Sequence, residues 1–222
     1  MNIYENIYIG SFIYQLGIEV GKRKLENMSS INLFQQTPSD CKLSDLISSV
    51  GGRYLIIEFK RNDADKKEDE KSKKLINALK NEENKHFIDI SKSCHYIGIG
   101  TTKDKATIDF YKYLDYFRNK NEENKIDFIN RFLASYDNDK NTLNVGISNY
   151  NDFIEYIRFL QKIYKNKRKT STGGIIIHKD KNGKLSMLPT NNIEELILNI
   201  DKKINETKKK IPKANNTNTL SP

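Results

Sequence analysis

The spacing of apolar residues changes along the chain, and each spacing predicts a different element. Near the N-terminus, apolar residues recur every three or four positions, at Ile9, Phe12, Ile13, Leu16 and Val20. This period predicts an amphipathic first helix that ends near the basic residues 22–24. Residues 30–34 and 42–50 are compatible with strands. Residues 53–60, RYLIIEFK, form the strongest predicted strand, because a continuous apolar run suits burial on both faces.

After this strand, a charged segment leads into a predicted helix over residues 72–91. Residues 95–100, HYIGIG, then predict another buried strand. The resulting order is helix, strand, strand, strand, helix, strand. Three strands in hairpin succession followed by a helical crossover imply a mixed α/β (α+β) sheet with helices packed against it.

The second half of the chain is predicted to be mostly helical. Helical spacing is present over residues 106–117, 122–136 and 150–164, and again over 192–204. Residues 173–188 predict a β-hairpin, because Asn182-Gly183 is a favoured turn pair between apolar runs. We therefore expect a core over residues 1–117, a helical extension over 118–206 and a disordered basic tail over 207–222.

Charge and composition narrow the class of protein. A formal net charge of +9 favours a polyanionic partner, nucleic acid above all. The two cysteines, Cys41 and Cys94, lie far apart, which argues against a disulfide framework or a zinc knuckle. No run approaches the roughly 18 apolar residues that span a bilayer. The N-terminus has no secretory pattern, so we expect a cytoplasmic protein.

The charged end of the strongest strand is the main candidate site. An acid followed two residues later by lysine recurs along this lysine-rich chain, but only Glu58 and Lys60 close a buried strand. Residues two apart on a strand share a face, and charges there are costly to bury unless something compensates them. A divalent cation would compensate the carboxylate if a second acid reached it. A hairpin turning near residues 51–53 would bring Asp45 beside Glu58, and Asp40 is the alternative from the preceding turn.

The element order, the upstream acid and the strand-borne Glu58-Phe59-Lys60 resemble the PD-(D/E)XK superfamily of restriction-endonuclease-like nucleases. The resemblance covers about the first hundred residues and implies an αβββαβ core. It also implies that Asp45, Glu58 and the backbone carbonyl of Phe59 bind Mg²⁺ or Mn²⁺, with Lys60 as the catalytic lysine. A helix-borne glutamate of the family would be Glu5 or Glu19. Ser44 stands where the family has proline, and Pro38 lies two residues before Asp40, so both acids remain candidates.

The function implied is hydrolysis of phosphodiester bonds in DNA, in phage defence or in a mobile element. A basic run could hold the nucleic-acid backbone and comprises Lys165, Lys167, Arg168 and Lys169. The alternative is a non-catalytic nucleic-acid-binding or scaffold subunit on the same fold. A homodimer or a partner protein subunit is compatible with either function. Cys94 and His95 are interpreted as structural residues.

Overall fold

In the computed structural model, a mixed eight-stranded sheet forms the centre of the described part of the chain. The structure describes residues 4–25, 29–34, 46–50, 53–61, 66–101, 106–117, 122–133, 145–164, 174–179 and 185–190. Side chains are described within 4–25, 53–60, 70–101, 106–117, 127–133 and 145–164. The predicted last helix and tail lie outside these ranges. No helix within them is long and apolar enough to cross a membrane.

Six helices and eight strands make up the described residues, with a short 3₁₀ turn between α2 and α3. In chain order they are α1 Glu5–Lys22, β1 Ser29–Phe34, β2 Leu46–Val50, β3 Arg53–Arg61, α2 Lys66–Ala78, α3 Phe87–Cys94, β4 His95–Thr101, β5 Thr107–Lys112, α4 Tyr113–Tyr116, β6 Glu122–Asn124, α5 Lys125–Leu133, α6 Tyr150–Tyr164, β7 Gly174–Lys179 and β8 Leu185–Thr190.

The sheet confirms the predicted mixed arrangement and the α+β class. Its strand order is β6-β5-β4-β3-β2-β1-β7-β8. Strands β1, β2 and β3 pair antiparallel in succession, whereas β3 and β4 are parallel and are connected through α2 and α3. A parallel pair needs such a crossover, because the chain has to return to the same end of the sheet. The elements from α1 to β4 therefore occur in the predicted order, with α2 and α3 in the place of one predicted helix.

The N-terminal parts of two predicted helices are strands in the structure. Residues 107–112 form β5 instead of a helix and pair antiparallel with β4. Ile108 and Phe110 alternate toward one face, opposite Gly100 and Gly98, so a short apolar segment with two possible periods pairs as a strand. Residues 122–124 likewise pair with β5 as β6, and α5 begins only at Lys125.

The single helix predicted over residues 72–91 is divided into α2 and α3. A 3₁₀ turn, Glu82–Asn84, separates the two helices. The side chain of Asn84 donates a 2.9 Å hydrogen bond to the carbonyl of Ala78, which satisfies an acceptor at the end of α2. The polar sequence between the helices, rich in Asn and Glu, breaks the apolar period at this point.

The predicted β-hairpin is confirmed by the antiparallel pairing of β7 and β8, although its turn residues 180–184 lie outside the described part of the chain. Strand β7 also pairs with β1 and so extends the main sheet. At the start of β3, Tyr54 exchanges two backbone hydrogen bonds with Ile147, at 2.8 and 3.0 Å. Elements after residue 117 thus bond directly to the first strands, while the domain boundary there remains a prediction.

The centre of the sheet buries a different apolar layer on each face. On the α1 face, Leu55, Ile57 and Phe59 pack with residues of α1 and α5. On the α6 face, Tyr54 and Ile56 pack with residues of α2, α3 and α6. This alternation along β3 follows from the two-residue period of a strand. It also determines which face receives the charged residues at the end of β3.

Candidate functional site

Glu58 and Lys60 follow Ile56 along β3 and belong to the α6 face by strand alternation. Glu58 is only 1% exposed and Lys60 8% exposed. Within the described side chains, these two are the buried residues whose side chains ordinarily carry a charge at neutral pH. Burial of this kind is costly unless each charge is paired, so the surrounding groups determine what the site can do.

The ammonium group of Lys60 lies among three oxygens from two elements. Its Nζ donates a 2.8 Å hydrogen bond to the backbone carbonyl of Phe59. The same atom lies 3.7 Å from Oε1 of Glu5 and 4.0 Å from Oε2 of Glu58. Two carboxylates and a carbonyl therefore converge on one cationic group at the end of β3.

Glu5 reaches this point because it is the first residue of α1. An acid in the first turn is favourable for the helix, since the N-terminal end of a helix carries partial positive charge. Glu19, the other candidate on this helix, is 14 residues further along α1, about 21 Å at the rise of an α-helix. Its Oε1 instead pairs with Lys22 at 2.7 Å. The structure therefore brings Glu5, and not Glu19, to Lys60.

A second lysine, Lys71 of α2, contacts the buried carboxylate directly. Its ammonium group forms an ion pair and hydrogen bond with Oε1 of Glu58. The Lys71 side chain is 14% exposed, and its Nζ also lies 5.2 Å from the ring centroid of Tyr164 in α6. Sequence reasoning missed Lys71, because it is one of several lysines in the charged start of α2 and no spacing distinguishes it.

A neutral hydrogen-bonded chain lies on the same face, at the start of β4. Nδ1 of His95 is 2.9 Å from the hydroxyl of Tyr156, which donates a 2.8 Å hydrogen bond to Oγ of Ser91. Burial, and secondarily the charge of Lys71, lowers the pKa of His95 well below its ordinary range. Burial also raises the pKa of Tyr156 and that of Cys94. Each of these pKa shifts favours the neutral form of its side chain near pH 7.

Apart from Glu19, the predicted site residues that the structure describes meet in one place. Glu5, Glu58, Lys60 and the carbonyl of Phe59 come together at the end of β3. The two candidate upstream acids, Asp40 and Asp45, lie outside the described residues. So does the basic run that was predicted to hold the nucleic-acid backbone, which comprises Lys165, Lys167, Arg168 and Lys169.

The donor set is compatible with a hard divalent cation. All of its described members are oxygens, which is the ligand type that Mg²⁺ and Mn²⁺ prefer. No group of three His, Cys, Asp or Glu side chains in the described ranges is arranged to bind a metal. The fit therefore relies on the two carboxylates of Glu5 and Glu58 and on the carbonyl of Phe59. Two lysines at the same carboxylate add the positive groups that a phosphate ester would need.

Comparisons with family models, with curated proteins and with solved structures gave no significant match.

Proposed function

We propose that the chain is a metal-dependent nuclease that hydrolyses phosphodiester bonds of DNA with Mg²⁺ or Mn²⁺. The observation that carries this proposal is the end of β3, where Lys60 lies within 4.0 Å of Glu5 and Glu58 and bonds the carbonyl of Phe59. A buried group of acids and lysines of this kind is costly for folding alone. Its cost is understandable if the acids bind a metal and the lysines contact a phosphate.

The sheet topology supports a restriction-endonuclease-like core. Helix α1 precedes three antiparallel strands, and a helical crossover leads to β4, which is parallel to β3. This is the αβββαβ order that the PD-(D/E)XK resemblance implies. The register of β2 and β3 ends with Leu46 opposite Ile57. Asp45, the upstream acid that the resemblance implies, precedes this pair in the chain and lies outside the described residues.

Each described residue then has a defined role. Glu58, Glu5 and the carbonyl of Phe59 would hold the ion, with Asp45 as the additional acid. The bound ion would polarise the scissile phosphate and lower the pKa of a coordinated water. Lys60 would position the attacking water or stabilise the negative charge that develops on the phosphate oxygens. The net charge of +9 favours approach of the DNA backbone.

The proposal is tested with purified full-length protein and end-labelled double-stranded DNA. Cleavage should require Mg²⁺ or Mn²⁺ and stop in a chelator. Glu58→Gln and Lys60→Met should each lower the rate on the order of 100-fold or more, because each removes a group that acts on the transition state. Lys74→Gln is the matched control, since Lys74 is an exposed residue of α2. Equal cleavage by all four proteins, or no metal-dependent cleavage, would contradict the proposal.

One observation favours a second candidate, a non-catalytic nucleic-acid-binding or scaffold subunit. Lys71 pairs with Glu58 and Lys60 lies near both acids, so these carboxylates have cationic partners without a metal. Under this alternative, neither Mg²⁺ nor Mn²⁺ raises the melting temperature. DNA binding by wild type and Glu58→Gln would then be equal, and neither protein would cleave.

A further inference from the structure

We infer that Lys71 and the divalent cation compete for the same oxygen of Glu58, so that metal binding releases the Lys71 ammonium group toward the phosphate of the substrate. This inference rests on the proposed metal-dependent function and adds Lys71 as a residue of its site. The direct evidence is the contact itself, because Lys71 bonds Oε1 of Glu58. An ammonium group at that oxygen repels a divalent cation and competes with it for the lone pairs of the oxygen.

The two lysines differ in how they meet Glu58. Lys60 lies 4.0 Å from Oε2 and has its 2.8 Å hydrogen bond to the carbonyl of Phe59. Lys71 instead makes the close contact, to Oε1, and approaches from α2 rather than from β3. Lys71 is therefore the group that a cation bound at Oε1 of Glu58 would have to displace.

Charge balance gives the reason for the exchange. Without metal, the carboxylates of Glu5 and Glu58 are balanced by the ammonium groups of Lys60 and Lys71. A divalent cation would add two positive charges beside these ammonium groups, where low dielectric strengthens repulsion. Departure of Lys71 relieves that repulsion. A bound phosphate diester then supplies the negative charge that the released ammonium group can pair with.

The side chain of Lys71 can make this movement. It is 14% exposed, so it is not enclosed on all sides, and its Nζ already lies 5.2 Å from the ring centroid of Tyr164. The ring face offers a cation a second favourable contact on α6. A lysine has a flexible four-carbon stem, so changes of side-chain rotamer move the ammonium group while α2 stays in place.

The first experiment measures metal affinity in the absence of DNA. Mn²⁺ is titrated into the full chain by calorimetry for wild type, Lys71→Gln, Lys71→Arg and Lys74→Gln. Removal of a charge-assisted hydrogen bond that competes with the ion should lower the dissociation constant of Lys71→Gln on the order of tenfold. Lys71→Arg, which keeps the competing charge, and Lys74→Gln should bind Mn²⁺ as wild type does. Far-ultraviolet circular dichroism establishes that each variant is folded.

The second experiment detects release of the ammonium group in wild type. Amine acylation at Lys71 and Lys74 is followed by mass spectrometry with and without Mg²⁺. Saturating Mg²⁺ should increase labelling of Lys71 severalfold and leave Lys74 unchanged. Glu58→Gln, which removes the carboxylate, should show high labelling of Lys71 at all Mg²⁺ concentrations.

The outcomes separate this inference from the proposed function. If wild type binds neither Mg²⁺ nor Mn²⁺, the proposed function itself is wrong. If wild type binds metal but Lys71→Gln binds it equally or more weakly, competition at Glu58 is excluded. The same holds if bound Mg²⁺ leaves the labelling of Lys71 unchanged. Tighter binding by Lys71→Gln together with Mg²⁺-dependent labelling supports the exchange.

Discussion

The two faces of β3 bury different kinds of residue. On the α1 face, Phe59 packs against Phe12 at a ring-centroid distance of 5.5 Å, and Phe110 stacks on Phe128 at 4.2 Å. On the α6 face, the same strand carries the buried residues Glu58 and Lys60. An aromatic layer stabilises the fold by itself, whereas buried charges stabilise it only through partners. The α1 face of β3 thus stays apolar through Phe59, whereas the α6 face changes from the apolar Tyr54 and Ile56 to charged residues that need partners.

The largest stability effect is expected on the α1 face. Phe59→Ala should lower the free energy of unfolding by about 3–5 kcal/mol, because it leaves a cavity among packed rings. Urea denaturation followed by circular dichroism measures this change. Tyr14→Ala is the control, since Tyr14 is 72% exposed and its loss should change stability by less than about 0.5 kcal/mol. Equal effects of the two variants would contradict the assignment of this face to the core.

The next effect concerns the ion pair on the α6 face. Lys71→Met should destabilise the protein by about 2 kcal/mol, because it leaves the buried Glu58 carboxylate with a weaker set of cationic contacts. The double variant Glu58→Met with Lys71→Met should recover most of that loss, since no uncompensated charge remains. A double-mutant cycle from urea denaturation measures the coupling. Additive losses would show that the pair does not act as a unit.

The close approach of α1 to β4 gives a third prediction. A Cβ atom at Gly100 would lie 2.3 Å from a ring carbon of Tyr8, which is closer than such atoms can approach. Gly100→Ala should therefore cost about 1–3 kcal/mol through overpacking. Adding Tyr8→Leu should return part of this loss, because it removes the colliding ring. Thermal unfolding of the two single variants and of the double variant tests the contact.

A smaller effect is expected in the neutral polar chain of the α6 face. Tyr156→Phe removes the hydroxyl that links His95 and Ser91, so both would lose a buried hydrogen bond. The expected loss of stability is about 1–2 kcal/mol. Tyr14→Phe, at an exposed hydroxyl, is the matched control. An unchanged free energy of unfolding for Tyr156→Phe would mean that these hydrogen bonds make no net contribution to stability.

The pH dependence of the free energy of unfolding should show the lowered pKa of His95. Its pKa in the folded protein lies well below 6.5, so the unfolded chain takes up a proton that the folded protein does not. Stability contributed by neutral His95 is therefore present above about pH 6.5 and falls as the pH decreases below it, by up to about 1.4 kcal/mol per pH unit. Urea denaturation at pH 7.5, 6.5 and 5.5 measures the slope. The ring of His95 stacks on Tyr113 at a centroid distance of 4.1 Å, and Phe can keep this contact. His95→Phe should therefore have a shallower slope between pH 6.5 and 5.5.

The predictability of the elements depends on their length and on whether their period is unambiguous. Helix α1 and helix α6 are long and have a clear helical period, and β3 is a long apolar run, so all three were predictable. The six residues of β5 allow either period. They form a strand because β4 offers an edge with Gly98, against which Ile108 and Phe110 can pack closely. The sequence of these six residues does not show that β4 lies beside them.

The candidate site shows the same division. Glu58 and Lys60 were identifiable from sequence because they end the most apolar strand, and Phe59 lies between them. The sequence did not identify which glutamate of α1 joins them, because Glu5 and Glu19 are both acidic residues of the same predicted helix. Tertiary structure alone brings Glu5 to Lys60 and Lys71 of α2 to Glu58. These contacts join segments more than ten residues apart, and they depend on how α1 and α2 pack against the sheet.

The sequence alone predicts the order of the elements from α1 to β4, apart from the division between α2 and α3, together with the mixed sheet and the charged end of β3. Apolar period and local turn chemistry act over a few residues and are readable along the chain. Tertiary structure decided the strand at residues 107–112, the pairing of Glu58 with Lys71 and the meeting of Glu5 with Lys60. These features depend on which surfaces pack together, because the free energy of a buried charge or an alternating strand is determined by its neighbours in space.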